Sequence, residues 1–172
     1  MPGLVGSDLP VRSDRTFAIR PLGPDDVELL RDLLRVFGEA FDDAETYSSA
    51  QPSRAYLERL LRGDYFIGIA ALEGDVVVGG LAAYELPKFE QERSEIYIYD
   101  LAVAAAYRRR GIATALIDEL RPLAATRGAW VIFVQAYRGD EPAVALHTKL
   151  GAREDVLHFE IAPAGVRDVP SG

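Results

Sequence analysis

Three consecutive arginines, Arg108, Arg109 and Arg110, precede Gly111 and an apolar run in YDLAVAAAYRRRGIATAL, residues 99–116. These are the ingredients of an anion cradle. A helix N-terminus offers unpaired N–H groups and a positive dipole end. Glycine lets a ligand reach the backbone, and arginine adds charge-assisted bonds to phosphate. The competing reading is a solvated turn, which is what charged runs usually form. Two phosphate motifs are excluded: Thr114 has no lysine before it, as a nucleotide P-loop requires, and no Gly-x-Gly-x-x-Gly run is present. What remains, Arg108-x-x-Gly111-x-Ala113, is by itself as compatible with an ordinary turn as with a phosphate site.

The elements around this turn follow from periodicity. Residues 16–22 alternate and read as a first strand. Pro24, Asp25 and Asp26 open a helix whose stripe is Val27, Leu30, Leu34 and Phe37. Residues 41–53 read as a polar loop, and a short helix through Leu57, Leu60 and Leu61 ends near Gly63. Residues 65–72 and 76–86 form a hairpin around a Glu73-Gly74-Asp75 turn. Gly79 and Gly80 inside its second arm suggest a bulge or a close approach of another backbone. Residues 94–103 are a long strand, 111–127 a helix capped by Gly128, and 130–136 a further strand. A helix from Asp140 to about Gly151 and a last strand, 154–162, complete the order β-α-α-β-β-β-α-β-α-β. This is an α/β (α+β) layout: a mixed sheet with a crossover helix between Val103 and Trp130.

Composition sets the outer bounds. The chain has 172 residues, enough for one domain with a substantial core; we expect it at 16–162, between a flexible leader, 1–15, and a flexible tail, 163–172. The beginning of the chain lacks the apolar centre of a secretory signal, and no apolar run reaches membrane-spanning length. Cysteine is absent, which removes disulfides, thiolate metal sites and cysteine nucleophiles and fits a cytoplasmic protein. The two histidines, His147 and His158, show no zinc-ligand spacing, so no metal is expected. The net charge of −8 disfavours nucleic acid and favours cationic partners.

The arginine turn also has a context. It resembles the pyrophosphate loop of the GNAT superfamily of acetyl-CoA-dependent N-acetyltransferases, and the resemblance extends over residues 16–162. Leu146-His-Thr-Lys-Leu-Gly151 matches that superfamily's second signature, usually Leu-Tyr-x-Lys-Leu-Gly. Leu86-Pro-Lys-Phe-Glu-Gln91, Ser94-Glu-Ile-Tyr-Ile-Tyr-Asp-Leu-Ala-Val103, Arg110-Gly-Ile-Ala-Thr-Ala-Leu-Ile117 and Asp140-Glu-Pro-Ala-Val-Ala-Leu146 resemble the type I aminoglycoside 3-N-acetyltransferases. The resemblance implies the GNAT fold, with a sheet that splays at the strand before the turn. Exposed backbone of Leu101, Ala102 and Val103 is then expected to pair with the pantetheine arm of acetyl-CoA. Its pyrophosphate is expected on Arg108, Arg109, Arg110, Gly111, Ile112, Ala113 and Thr114, chiefly through main-chain N–H groups.

The implied reaction is direct attack of an amine on a thioester in a ternary complex, so a group must take the amine's proton and another must shelter the departing sulfur. Asp100, which interrupts an apolar and aromatic strand, is the leading candidate beside the amine; the competing roles are a turn cap or an arginine partner. With a solvated Asp pKa near 3.9 it would be a weak base, so electrostatic positioning is expected to dominate. Tyr99 is its neighbour, either a wall residue or a substrate contact. His147 stands where the superfamily commonly has a tyrosine acid, as a proton donor toward sulfur or as a tolerated replacement. Tyr137 stands where the subgroup usually has an acid after Gln-Ala.

The implied acceptor is a polycationic aminoglycoside amine, the 3-amino group by resemblance. Glu95, Tyr137, Asp140, Glu141 and Asp42 are the expected substrate contacts besides Asp100; for each acid the alternative is a solvated face or a helix first turn, strongest for Asp140 and Glu141. Another polyamine or a protein amine as acceptor, or a module that binds acetyl-CoA without catalysis, stays open. Relatives suggest a homodimer.

Overall fold

The computed structural model describes residues 16–165; the expected leader and residues 166–172 of the expected tail lie outside the described residues. The chain divides into two compact units, one ending at Gln135 and the other beginning at Ala136.

The first unit is built on a five-stranded sheet in sequence order: β1 (Ala18–Pro21), β2 (Phe66–Glu73), β3 (Val76–Pro87), β4 (Ser94–Val103) and β5 (Ala129–Val134). Pairing is antiparallel from β1 to β4 and parallel between β4 and β5. Parallel pairing requires a crossover, and α3 (Ile112–Thr126) supplies it. The remaining helices of this unit are α1 (Val27–Ala40) and α2 (Arg54–Arg62), with a π-helical turn, Glu45–Ser49, between them.

Strand parity explains how both faces of the sheet are filled. In β2, Phe66, Ala70 and Leu72 join a core with Val27, Leu30, Leu33, Val36 and Phe37 of α1 and Leu57 and Leu61 of α2. Ile67, Ile69 and Ala71, of the opposite parity, are equally buried and are left for α3, whose Ile112, Leu116 and Leu120 are almost fully enclosed. The apolar stripe of α1 is rotated slightly from expectation: Leu33 is fully buried, while Leu34 packs at the edge of the core.

The paired glycines of β3 serve both expected purposes. The β2–β3 register slips beside Gly79, between Ala71 and Leu72. At Gly80 a Cβ would lie 2.5 Å from the Ile69 carbonyl oxygen and 2.6 Å from Leu33 Cδ1, so the missing side chain seats α1 on the sheet.

The second unit contains α4 (Glu141–Leu150). Asp140 is its N-cap, accepting a hydrogen bond from the Ala143 N–H at 3.1 Å. The last strand, expected at 154–162, does not form: these residues carry no regular element, and Leu157, Phe159 and Ile161 are exposed. Alternation is a property of the segment, but a strand also needs a neighbour for its backbone hydrogen bonds, and among the described residues none is paired with it.

Candidate active site

The site is built where two ladders change along β4. On one side, pairing with β5 runs from Ser94–Ala129 to Ile98–Val134 and stops there. Beyond Ile98 the backbone of residues 99–103 has β3 on one edge and, among the described residues, no strand on the other. Leu101, Ala102 and Val103 therefore lie along the opening that the resemblance implies.

On the other side, β3 pairs Ala82 with Asp100 and Ala83 with Ile98, so Tyr99 is an extra residue, a β-bulge. Its chemical effect follows from parity. Ile96 and Ile98 are buried; in an unbroken strand Asp100 would share their face and drive a carboxylate into an apolar core. The bulge resets the phase, and Asp100 lines a cavity of about 170 Å3 with Leu30, Leu33 and Phe37 of α1, Leu57 and Leu60 of α2, and Ala82 and Tyr84 of the sheet. Burial there pushes the Asp100 carboxyl above its ordinary range, opposed by a hydrogen bond that its Oδ1 accepts from the Tyr47 hydroxyl at 2.8 Å. Tyr99 is exposed, and its ring meets Tyr84 and Tyr97 edge-on, with centroids 5.9 and 5.6 Å away.

The arginine turn follows β4 after a short 3-10 turn, Ala105–Tyr107. Its three side chains have different fates. Arg108 folds back and donates from Nε to the Val103 carbonyl at 3.1 Å. Arg110 pairs with Glu73 at 2.8 Å, lies over the Tyr107 ring and donates to Thr16; this bond holds Glu73 below the usual carboxylate range. Arg109 makes no hydrogen bond or ion pair among the described residues. Its backbone is left-handed, φ 65°, as is that of Gly111, φ 79°, a local path that turns successive N–H groups to one side. Gly111 is the N-cap of α3 and supplies no side-chain cap, and a Cβ there would meet nothing within 4 Å. The first helical N–H to find a backbone acceptor is that of Ala115, on Gly111 at 3.0 Å. Among the described residues the N–H groups of Ile112, Ala113 and Thr114 have no partner. Unsatisfied donors, open space at a glycine and an unpaired arginine fit a phosphate-bearing group.

The other expected contacts are distributed as follows. Glu95 is engaged locally, with Lys88 at 3.3 Å and the Trp130 indole N–H at 3.2 Å. Asp42 is exposed, with a left-handed backbone (φ 55°), at the turn after α1. Tyr137, Asp140, Glu141 and His147 belong to the second unit. There Asp140 caps α4, Glu141 occupies its first turn, Tyr137 is exposed, and burial lowers the His147 pKa, so its imidazole is neutral at pH 7. Among the described residues no cluster could hold a metal ion, and no helix is long and apolar enough to cross a membrane.

Tyr47 escaped the sequence reading. It lies in the segment read as a polar loop, and its role depends on a contact across 53 residues that no local pattern announces. The one local trace is Gly38, which lets the π-turn press on α1: a Cβ there would sit 2.5 Å from Ser48 Oγ and 3.3 Å from Tyr47 Cβ.

Comparison with known proteins gives the family. Residues 28–152 match the acetyltransferase (GNAT) family, and the chain belongs to it. An aminoglycoside acetyltransferase from an uncultured soil metagenomic sample is 62% identical, with a TM-score of 0.84 over 86% of this chain and 99% of that one. A second such enzyme from an uncultured soil metagenomic sample, solved in complex with sisomicin, is 30% identical, with a TM-score of 0.79 over 87% of this chain and 98% of its own. The mycothiol acetyltransferase of Kocuria rhizophila is 33% identical over 106 residues, 59% of this chain and 32% of that protein. The chain spans about a third of the length of the curated relatives it matches.

Proposed function

We propose that the protein is an acetyl-CoA-dependent N-acetyltransferase whose acceptor is an amino group of an aminoglycoside, the 3-amino group by resemblance. The observation that carries the reading is Asp100: among the described residues the one charged group lining a largely apolar cavity, on the strand that opens from β5 and leads into the arginine turn. The likeness to a 62% identical aminoglycoside acetyltransferase supports the substrate class.

Acetyl-CoA, when bound, supplies a thioester carbonyl that an amine attacks and a thiolate that leaves. Arg109 and the free N–H groups of Ile112, Ala113 and Thr114 hold its diphosphate, and the open edge of Leu101 to Val103 receives its arm. Asp100 binds the cationic amino group. Its raised pKa makes it a better proton acceptor than a solvated aspartate, and the apolar walls strengthen its attraction for the cation. The remaining amines of a polycation meet acids outside the cavity, with Asp42 at the turn after α1 a candidate. By resemblance alone the role toward the sulfur falls to His147, whose neutral imidazole can donate a hydrogen bond but carries no full charge. Cytoplasmic location and a homodimer complete the proposal.

The test is thiol release from acetyl-CoA with gentamicin, with spermidine and with no acceptor, followed by NMR of the product. Release with gentamicin and an acetyl group on its 3-amino nitrogen is the expected result. Release only with spermidine moves the acceptor to another polyamine, and none with any amine leaves a binding module.

A further inference from the structure

We propose that Tyr47 is a positioning residue for the acceptor carboxylate: its hydroxyl holds Asp100 Oδ1 and so leaves Oδ2 as the oxygen presented to the amine. This rests on Asp100 being the acceptor carboxylate, as proposed above.

Four observations support it. First, the 2.8 Å bond from Tyr47 is the sole hydrogen bond to that carboxylate among the described residues. Second, the ring that carries the hydroxyl is fixed on both sides, edge-on to Phe37 at 6.0 Å and tilted against Phe41 at 5.6 Å. Third, the backbone beneath it is an irregular structure held in place. The π-turn is anchored by Asp43, which accepts from the Thr46 N–H at 3.0 Å and donates its own N–H to Gly38 at 2.9 Å. π-Turns are rare and concentrate at functional sites. Fourth, the phenol cannot do the carboxylate's work. Burial and the adjacent Asp100 raise its pKa well above the ordinary tyrosine value, so it stays protonated and serves Asp100 as the donor. A donor aimed at a carboxylate in an apolar cavity favours the ionised form that burial opposes. The other titratable groups facing the pair are Tyr84 and Tyr99 of the sheet, Tyr56 of α2 and Asp43 of the turn.

The experiment compares wild type, Tyr47→Phe, Asp100→Asn and the double variant. It reads the Asp100 carboxyl titration by 13C NMR, kcat/KM for gentamicin, KM for acetyl-CoA and thermal melting. Tyr47→Phe is expected to move the Asp100 titration to higher pH and to lower kcat/KM for the acceptor by about tenfold. That loss should shrink as pH rises above the new midpoint, with KM for acetyl-CoA unchanged. In the Asp100→Asn background the same change should add nothing. A 3-fluorotyrosine at position 47, a stronger donor, should move the titration the other way, and it covers the case in which the phenylalanine variant does not fold. An unmoved titration, or a loss that is constant with pH and additive with Asp100→Asn, overturns the inference. Full activity of Asp100→Asn would instead overturn the acceptor reading, whatever Tyr47 does.

Discussion

At the scale of the residue, Asp100 links chemistry to stability. Its folded pKa lies above the ordinary carboxylate value because burial disfavours the anion. The native state therefore binds that proton more tightly than the unfolded chain. The associated stability is fully present below the unfolded pKa, about 3.9, and is lost as pH rises through the folded value. Asp100→Asn removes this slope while keeping an acceptor for Tyr47. Its melting temperature at pH 7 should equal or exceed that of wild type, while kcat for acetyl transfer falls by about 10²-fold or more. A melting temperature several degrees lower would mean that the carboxylate stabilises the fold instead. His147 makes a smaller claim. Because its imidazole is neutral at pH 7, His147→Gln, which keeps an N–H donor, should lose less kcat than His147→Ala, as steady-state rates at saturating acceptor would show.

At the scale of the element, the glycines carry the sharpest expectations. Gly111 caps α3 with a left-handed backbone and has open space around it. Gly111→Ala should cost about 1–2 kcal/mol of stability from backbone strain. It should also raise KM for acetyl-CoA more than KM for the acceptor, since the new methyl would enter the open space proposed for the diphosphate. Gly80→Ala places a Cβ against Leu33 and the Ile69 carbonyl. Overpacking of about 1–3 kcal/mol, read by urea denaturation, is the expected cost.

Strands and helices with their own period and punctuation were legible in the sequence: the hairpin, β4, α3 and α4 all fall close to where alternation, caps and turns place them. So was the arginine turn, although its three side chains looked equivalent and are not. The last strand was misread because its alternation is real but its partner would have to come from elsewhere. Tyr47 was invisible because its meaning lies in a distant contact. The bulge at Tyr99 lay between these cases. Asp100 in phase with Ile96 and Ile98 is a conflict between pattern and polarity, and such a conflict points to a break in register.

At the scale of the whole molecule, the net charge of −8 bears on the proposed polycationic acceptor. A polycationic acceptor is drawn toward the surface, so its KM should rise several-fold between low salt and about 0.5 M as screening shortens the reach of the field. The same titration with an uncharged-arm amine should be nearly flat.

The unpaired stretch of β4 has a further consequence. A seam left unzipped between β4 and the edge strand β5 exposes amide protons that a continuous ladder would shield. Deuterium should enter the seam-facing amides of residues 99–103 quickly in the free protein, while those of 94–98, zipped to β5, stay slow. If acetyl-CoA binds there as proposed, adding it should slow the first group and leave the second unchanged, the incoming molecule standing in, for the length of a turnover, for the missing strand.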